Sequence, residues 1–302
     1  MILVTGGTGL TGQFVVEELL RRGHAVRVLC RTEASASARA PGAEIAPGDL
    51  RDPESLVRAA RGTSGIVHAA CTFTDSAVDI AAMQALLASW QSGPFVFLSS
   101  LDVYGLAGSG PITEDEPVSE TYTDYGRGKV VCERLLAEAA GRSGRGGHVM
   151  LRAPYIWGPH PTAHRRLVTE RLQERETIVL PGRDEAEWGR YQDAWIDVRD
   201  LATIVAECVA RPAGSPLNVL TGHFTWHDLY VALIRLTGRR STLVHKPLEA
   251  ITEDELPRKW LYAQRWQFSE ARLARHLGTI PRRSFDATVR DTVLDRGPAA
   301  PG

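Results

Sequence analysis

The chain is poor in the residues from which several protein classes are built. Its 302 residues hold four cysteines, Cys30, Cys71, Cys132 and Cys208, scattered without paired spacing. That excludes a disulfide scaffold and fits small buried apolar groups in a reducing compartment. Charge of one sign is not in excess: 35 basic residues face 36 acidic ones, and the basic residues form no blocks. A nucleic-acid or anionic-membrane partner is therefore not expected. The longest uncharged stretch, Ile80 to Leu101, is interrupted by Ser89, Gln91, Ser92, Gly93 and Pro94. It reads as a helix end, a turn and a strand, so no transmembrane segment is expected. Met1 runs straight into an apolar strand without a basic leader, which points to the cytoplasm. His160 and His164 have ligand-like spacing, but Pro161 separates them and no acidic residue is placed to complete a zinc helix. They read as loop or surface histidines, and no metal is expected.

What is present is a regular alternation. Short apolar runs at Ile2–Thr5, Ala25–Leu29, Ala43–Ala46, Ile66–Ala69, Phe95–Leu98 and His148–Leu151 are bounded by Gly, Pro or Asp. Helical patterns at Phe14–Arg22, Pro53–Ala60, Val78–Trp90 and Val130–Ala140 lie between several of them. Strand and helix in turn predict an α/β fold, a Rossmann-type doubly wound parallel sheet. After residue 150 the chain changes character: six of its seven tryptophans lie there, among longer, Arg-rich loops. This predicts a smaller mixed α/β substrate-binding domain over the carboxyl edge of the sheet. The two are expected to be interleaved: residues 1–156 plus about 194–220 as the dinucleotide-binding domain, and about 157–193 and 221–295 as the substrate domain. Ala194–Cys208 and Pro216–Leu220 are expected to return to the main sheet, and residues 296–302 to form a frayed tail.

The first chemical signal is TGGTGLTG, Thr5 to Gly12, directly between the first strand and the first helix. Gly6, Gly9 and Gly12 there allow a sharp turn, close backbone approach to a pyrophosphate, and tight helix–strand packing. The helix amides then face the phosphates. The second strand ends in Arg31, with Arg27 and Arg39 nearby and no acid before Glu33. An NAD site usually places a carboxylate there for the ribose 2′-hydroxyl, whereas a guanidinium suits a 2′-phosphate. NADP(H) is accordingly expected over NAD(H). Asp49 and Leu50, after the third strand, are expected beside the adenine.

The second signal is Tyr125-Gly126-Arg127-Gly128-Lys129. A tyrosine four residues before a lysine shares its helical face. Lysine is scarce here, only Lys129, Lys246 and Lys259 against 32 arginines, so its use at this place suggests a need for a compact ammonium. A phenol with a pKa of about 10 needs such a neighbour to serve as acid or base near neutrality. Ser100, at the carboxyl end of the fifth strand, is placed to hydrogen-bond a reacting oxygen.

Together with GDLRD (Gly48–Asp52), IVHAA (Ile66–Ala70), SSLDVYG (Ser99–Gly105), LRAPYIWGP (Leu151–Pro159), WIDVRDLA (Trp195–Ala202) and LGTIP (Leu277–Pro281), these segments resemble an extended short-chain dehydrogenase/reductase of the NAD-dependent epimerase/dehydratase family. The resemblance runs over nearly the whole chain. It implies a catalytic Ser100, Tyr125 and Lys129, with Tyr125 transferring a proton and Lys129 holding the nicotinamide ribose. It also implies cofactor contacts from Gly6, Thr8, Gly9, Leu10, Thr11, Gly12, Arg31, Asp49, Leu50, Ala69, Ala70 and Pro154, besides Tyr125 and Lys129. Asp102, Trp157, Arg165, Arg166 and Arg190 lie in segments that such proteins use over the substrate.

Two departures stand out. Asp79 falls where the family often has an asparagine, after a short loop. Leu101 falls where 4,6-dehydratases carry an acid, which disfavours water elimination. The expected activity is hydride transfer to or from a ketone or secondary alcohol of a small molecule, a secondary metabolite or an activated sugar. A nucleotide-sugar epimerase with tightly bound cofactor is the alternative, and a non-catalytic dinucleotide sensor a third reading. Helices 78–90 and 130–140 offer faces for a homodimer.

Overall fold

Seven short apolar runs pair into one sheet. In chain order they are β1 (Ile2–Thr5), β2 (Val26–Cys30), β3 (Glu44–Pro47), β4 (Ile66–His68), β5 (Phe95–Ser100), β6 (His148–Ala153) and β7 (Pro216–Asn218). In this computed structural model, which describes residues 1–32, 40–106, 110–118, 123–141, 145–172, 175–280 and 282–295, their spatial order is β3-β2-β1-β4-β5-β6-β7 and every pairing is parallel. β1, all four residues buried, carries no alternation because helices cover both faces of the sheet. Strand order reverses at β1, so the carboxyl ends of β1 and β4 diverge and leave the crevice where such sheets bind ligands.

One face is covered by α1 (Leu10–Arg21), whose Val15, Val16 and Leu19 pack on Val4, Val28 and Val96. The other is covered by α2 (Pro53–Ala60), α3 (Ser76–Ser89) and α4 (Asp124–Ala140), around Met83, Leu86, Phe95, Phe97 and Leu136. Each fully buried side chain of this kind contributes about 1.5–3 kcal/mol. Local signals set the helix starts. Asp52 accepts from Glu54 N and Ser55 N ahead of Pro53 at the first helical position. Thr123 accepts from Gly126 N at 2.9 Å and opens α4. That helix begins six residues before the expected Val130, since Gly126 and Gly128 hide its first turn from a propensity reading.

The expectation for Ala194–Cys208 is met only in its helical part. Residues 198–210 form α5 (Val198–Ala210), which packs beside α1 and joins it through Arg22 and Glu207 at 2.7 Å. The preceding strand, Gln192–Asp197, does not enter the main sheet. It pairs with Tyr155–Trp157 and Gly222–Thr225 in a separate three-stranded sheet. Around that sheet Trp157, Trp195, Phe224, Trp226 and Phe285 form an aromatic core, with Trp157 and Trp195 stacked at 5.8 Å. Among the described residues no helix is long and apolar enough to cross a membrane. Arg39, Pro281 and the tail 296–302 lie outside the described residues.

Candidate active site

A cleft of about 940 Å³ runs across the carboxyl ends of the strands. Its floor is the glycine loop. Gly6 sits at φ +73°, and a Cβ there would lie 2.8 Å from the Ala70 amide nitrogen; a Cβ on Gly12 would collide with the Gly6 carbonyl. Only backbone without side chains brings β1, α1 and the end of β4 this close. Gly9 caps α1 without a side chain, leaving the first-turn amides directed at the cleft, where an anion is favoured. Thr8, Gly9, Leu10, Thr11 and Gly12 line this end, with Ala69 and Ala70 opposite, Arg31 and Leu50 toward the far side, and Pro154 toward the middle.

One sequence expectation fails at this end, and a neighbour of Arg31 in the sequence is found elsewhere. Asp49 is absent from the lining: its carboxylate accepts from Arg51 N at 2.9 Å and stabilises the turn into α2. Arg27 is turned away, bound to Glu44 at 2.7 Å and to the Ala59 and Arg61 carbonyls.

Ser100, Tyr125 and Lys129 converge at the middle of the cleft. Ser100, at the end of β5, accepts from Asp102 N at 3.2 Å and lies beside the Tyr125 hydroxyl. Lys129 is buried; its Nζ donates to the Leu98 carbonyl at 2.8 Å and lies 5.5 Å from the centre of the Tyr125 ring. Burial pushes the Tyr125 hydroxyl well above its ordinary range, with Cys71 and Asp102 adding to the effect and Ser100 opposing it. Proton transfer therefore relies on a positive charge supplied close to the phenol. Beneath, His68 is held neutral, its pKa lowered to about 3 by burial and then by Lys129. It contacts Thr5 Oγ1 at 2.7 Å and ties β4 to β1 below the glycine loop.

Asp79 does not stand free beside this group. Its carboxylate accepts from Thr72 N (2.9 Å), Thr72 Oγ1 (3.1 Å) and Cys71 Sγ (3.2 Å). These bonds hold a tight loop in which Phe73 adopts φ +63° and stacks on Tyr125 with ring centres 5.3 Å apart. The Arg166 guanidinium lies 4.7 Å from the Phe73 ring, linking the two sides of the cleft mouth.

With this geometry in place the sequence comparisons become informative. Residues 2–219 match the NAD dependent epimerase/dehydratase family. The chain belongs to that family. A stretch of 175 residues is 34% identical to UDP-glucose 4-epimerase of Neisseria meningitidis, covering 50% of this chain and 51% of the other. Over 205 residues it is 31% identical to 3 beta-hydroxysteroid dehydrogenase/Delta 5-->4-isomerase of Mycobacterium tuberculosis, covering 61% and 55%. The chain thus spans about half the length of these curated relatives. UDP-glucose 4-epimerase of Thermotoga maritima superposes on 97% of each chain with a TM-score of 0.77 at 23% identity, a likeness of fold. Family membership assigns the cleft to a nicotinamide dinucleotide, and the cradle, in which Gly6 and Gly12 have no room for a side chain, fits the pyrophosphate of one.

The family's cleft continues here into an aromatic chamber. Tyr155, Trp226, Tyr230, Tyr262 and Trp266 line it, as do Asp102, Asp193 and Arg171. Burial pushes the carboxyls of Asp102 and Asp193 up, to about 6 and about 7. Trp157 reaches the lining from the aromatic core, where it is 4% exposed. Arg165 and Arg190 do not reach it. Arg165 is exposed and pairs with Glu170 at 3.4 Å, and Arg190 is exposed outside the lining. A π-helical turn at Arg165–Thr169 rotates Arg166 inward instead. Nor are the histidines where they were expected. His160 is buried and accepts from Thr162 N at 3.0 Å as a helix cap; His164 contacts the Thr292 carbonyl at 3.2 Å. Phe73, Tyr155, Arg171, Asp193 and Tyr262 were missed by sequence reasoning. Only Tyr155 sits in one of the quoted segments, LRAPYIWGP, where nothing singled it out; the other four lie outside all of them.

Proposed function

We propose that the protein is an NADP(H)-preferring oxidoreductase that moves hydride between nicotinamide and a ketone or secondary alcohol of a small molecule. The observation that carries this reading is the convergence of Ser100, Tyr125 and Lys129 beside the glycine loop. A bound nicotinamide supplies or receives the hydride. Ser100 hydrogen-bonds the substrate oxygen, and the Tyr125 hydroxyl gives or takes its proton. Lys129, fixed by the Leu98 carbonyl, engages the nicotinamide ribose and brings the charge that favours the phenolate. Arg31, exposed at the end of β2 on the cleft wall, supports a 2′-phosphate contact, for which a guanidinium is suited.

Water elimination is disfavoured because Leu101 is buried among apolar neighbours where a second acid would be needed. A second reading, epimerisation with a retained cofactor, is favoured by the likeness to UDP-glucose 4-epimerase over half of the chain. The two separate in one experiment: carbonyl compounds and UDP-hexoses are screened with added NADPH. Consumption of one NADPH per carbonyl reduced supports the reductase. Interconversion of UDP-hexoses with no net change in NADPH supports the epimerase.

A further inference from the structure

Arg171 is the most unusual charge in the chamber. Its guanidinium lies 5.1 Å from the centre of the Tyr155 ring and 4.8 Å from that of Trp226. Its Nη1 donates to the Tyr262 hydroxyl at 3.4 Å, and Tyr155 and Tyr230 are close enough to interact with it electrostatically. Among the described residues no carboxylate comes within 4.0 Å of it. An enclosed cation that no carboxylate pairs with directly is costly, and a ligand anion offsets that cost. Beside it Trp226, 3% exposed, leaves its buried indole N–H without a partner among the described residues. Phenols that accept from the guanidinium keep their own protons to donate. The chamber wall is therefore an array of donors converging on one cation, and such an array recognises an acceptor-only group.

We propose that Arg171 is a substrate-anchoring residue that binds a carboxylate on the part of the substrate away from the reacting carbon. This deepens the oxidoreductase reading and rests on it for the word substrate. A monoanion is favoured over a diphosphate by the neighbouring charges. Asp102 and Asp193 border the same chamber, and Asp193, 6% exposed, interacts electrostatically with both Asp102 and Arg171. A single carboxylate neutralises one guanidinium, and can share a hydrogen bond with a protonated Asp193. A diphosphate would bring surplus negative charge against both acids. The nearby cations do not make up the difference: Arg166 is laid over Phe73, and Arg175 donates to the Glu255 carbonyl at 2.6 Å.

The test is calorimetric titration of the full chain, saturated with NADP, using 4-acetylbenzoate, whose carboxylate lies across the ring from its ketone, its uncharged amide and UDP as probes. The expected result is 4-acetylbenzoate binding at least about tenfold tighter than the amide, a difference of about 1.4 kcal/mol. Arg171→Gln should erase that difference while NADPH affinity stays unchanged. Arg171→Lys, which keeps the charge but loses the planar fork, should retain part of it and serves if the glutamine variant does not fold. Equal binding of acid and amide, no binding of the acid, or UDP binding tighter than the acid in an Arg171-dependent way would each overturn the proposal. Those outcomes leave NADPH binding intact, whereas failure of the oxidoreductase reading would show as absent NADPH binding or turnover.

Discussion

The two ends of the cleft are built by different means. At the dinucleotide end the working surface is backbone: the turn at Gly6, the amides at the start of α1, and the close approach of β4. Side chains there are mostly absent by necessity, since a Cβ on Gly6 or Gly12 has no room. At the chamber end the surface is side chains drawn from distant segments. Tyr155 follows β6, Arg171 comes from a short helix after a π-helical turn, Asp193 from a strand of another sheet, and Trp226 from the start of a later helix. A backbone site tolerates little sequence change, while a side-chain site can be recomposed one residue at a time. The cofactor end is thus bound to one backbone shape, and the chamber is where residue choice can vary.

Between the two ends runs a buried polar chain that keeps them in register. Ser99 Oγ donates to Glu133 at 2.6 Å, and Arg152 grips both Glu133 oxygens at 3.0 and 2.7 Å. Arg152 also donates to the Tyr104 hydroxyl at 2.8 Å, which in turn donates to Asn218 at 2.7 Å. The chain spans β5, α4, β6 and β7 under the catalytic group.

If that chain is what couples the two ends, Arg152→Ala should have the largest effect on stability. It leaves Glu133 charged and buried, at a cost of about 3–5 kcal/mol, and denaturant unfolding should show a lower midpoint. At the backbone end, Gly12→Ala should weaken NADPH binding by roughly ten- to a hundredfold, in line with about 1–3 kcal/mol of local strain, as measured by fluorescence titration. Arg31→Ala should lower NADPH affinity by roughly tenfold, the loss of about one charge-assisted hydrogen bond, while NADH affinity is unaffected; equal losses for both would remove Arg31 from the 2′-phosphate.

At the chamber end the expected effect is one of pH. The folded Asp193 carboxyl titrates near 7 because of burial, against about 3.8 for the ordinary group. The folded state therefore holds a proton that the unfolded state has lost, so stability falls as pH rises from about 4 to about 7 and is level above that. Asp193→Asn should flatten this slope by an amount on the order of 2 kcal/mol in unfolding experiments between pH 5 and pH 8.

The same contrast explains what was legible in the sequence. TGGTGLTG and the Tyr125–Lys129 pair are local patterns: their geometry follows from a turn, a helical period and a strand end, and each works within a few residues. Arg27 lies near Arg31 in the sequence, yet only the neighbouring strand, which supplies its partner Glu44, shows that it serves the sheet and not the cleft. Asp49 misled because a short acidic side chain after a strand also stabilises its own turn. Arg165 and Arg166 are adjacent, and only the π-helical register decides which one faces inward. Arg171 and Asp193 gain their meaning solely from tertiary neighbours, which no period in the sequence encodes.

The central claim is that the phenol of Tyr125 moves the proton while the glycine loop holds the cofactor. Tyr125→Phe, assayed in parallel for NADPH affinity and for turnover of a carbonyl substrate found by screening, tests it directly. The account predicts unchanged NADPH affinity with turnover reduced on the order of 10²–10⁴-fold; turnover that survives the substitution would contradict it.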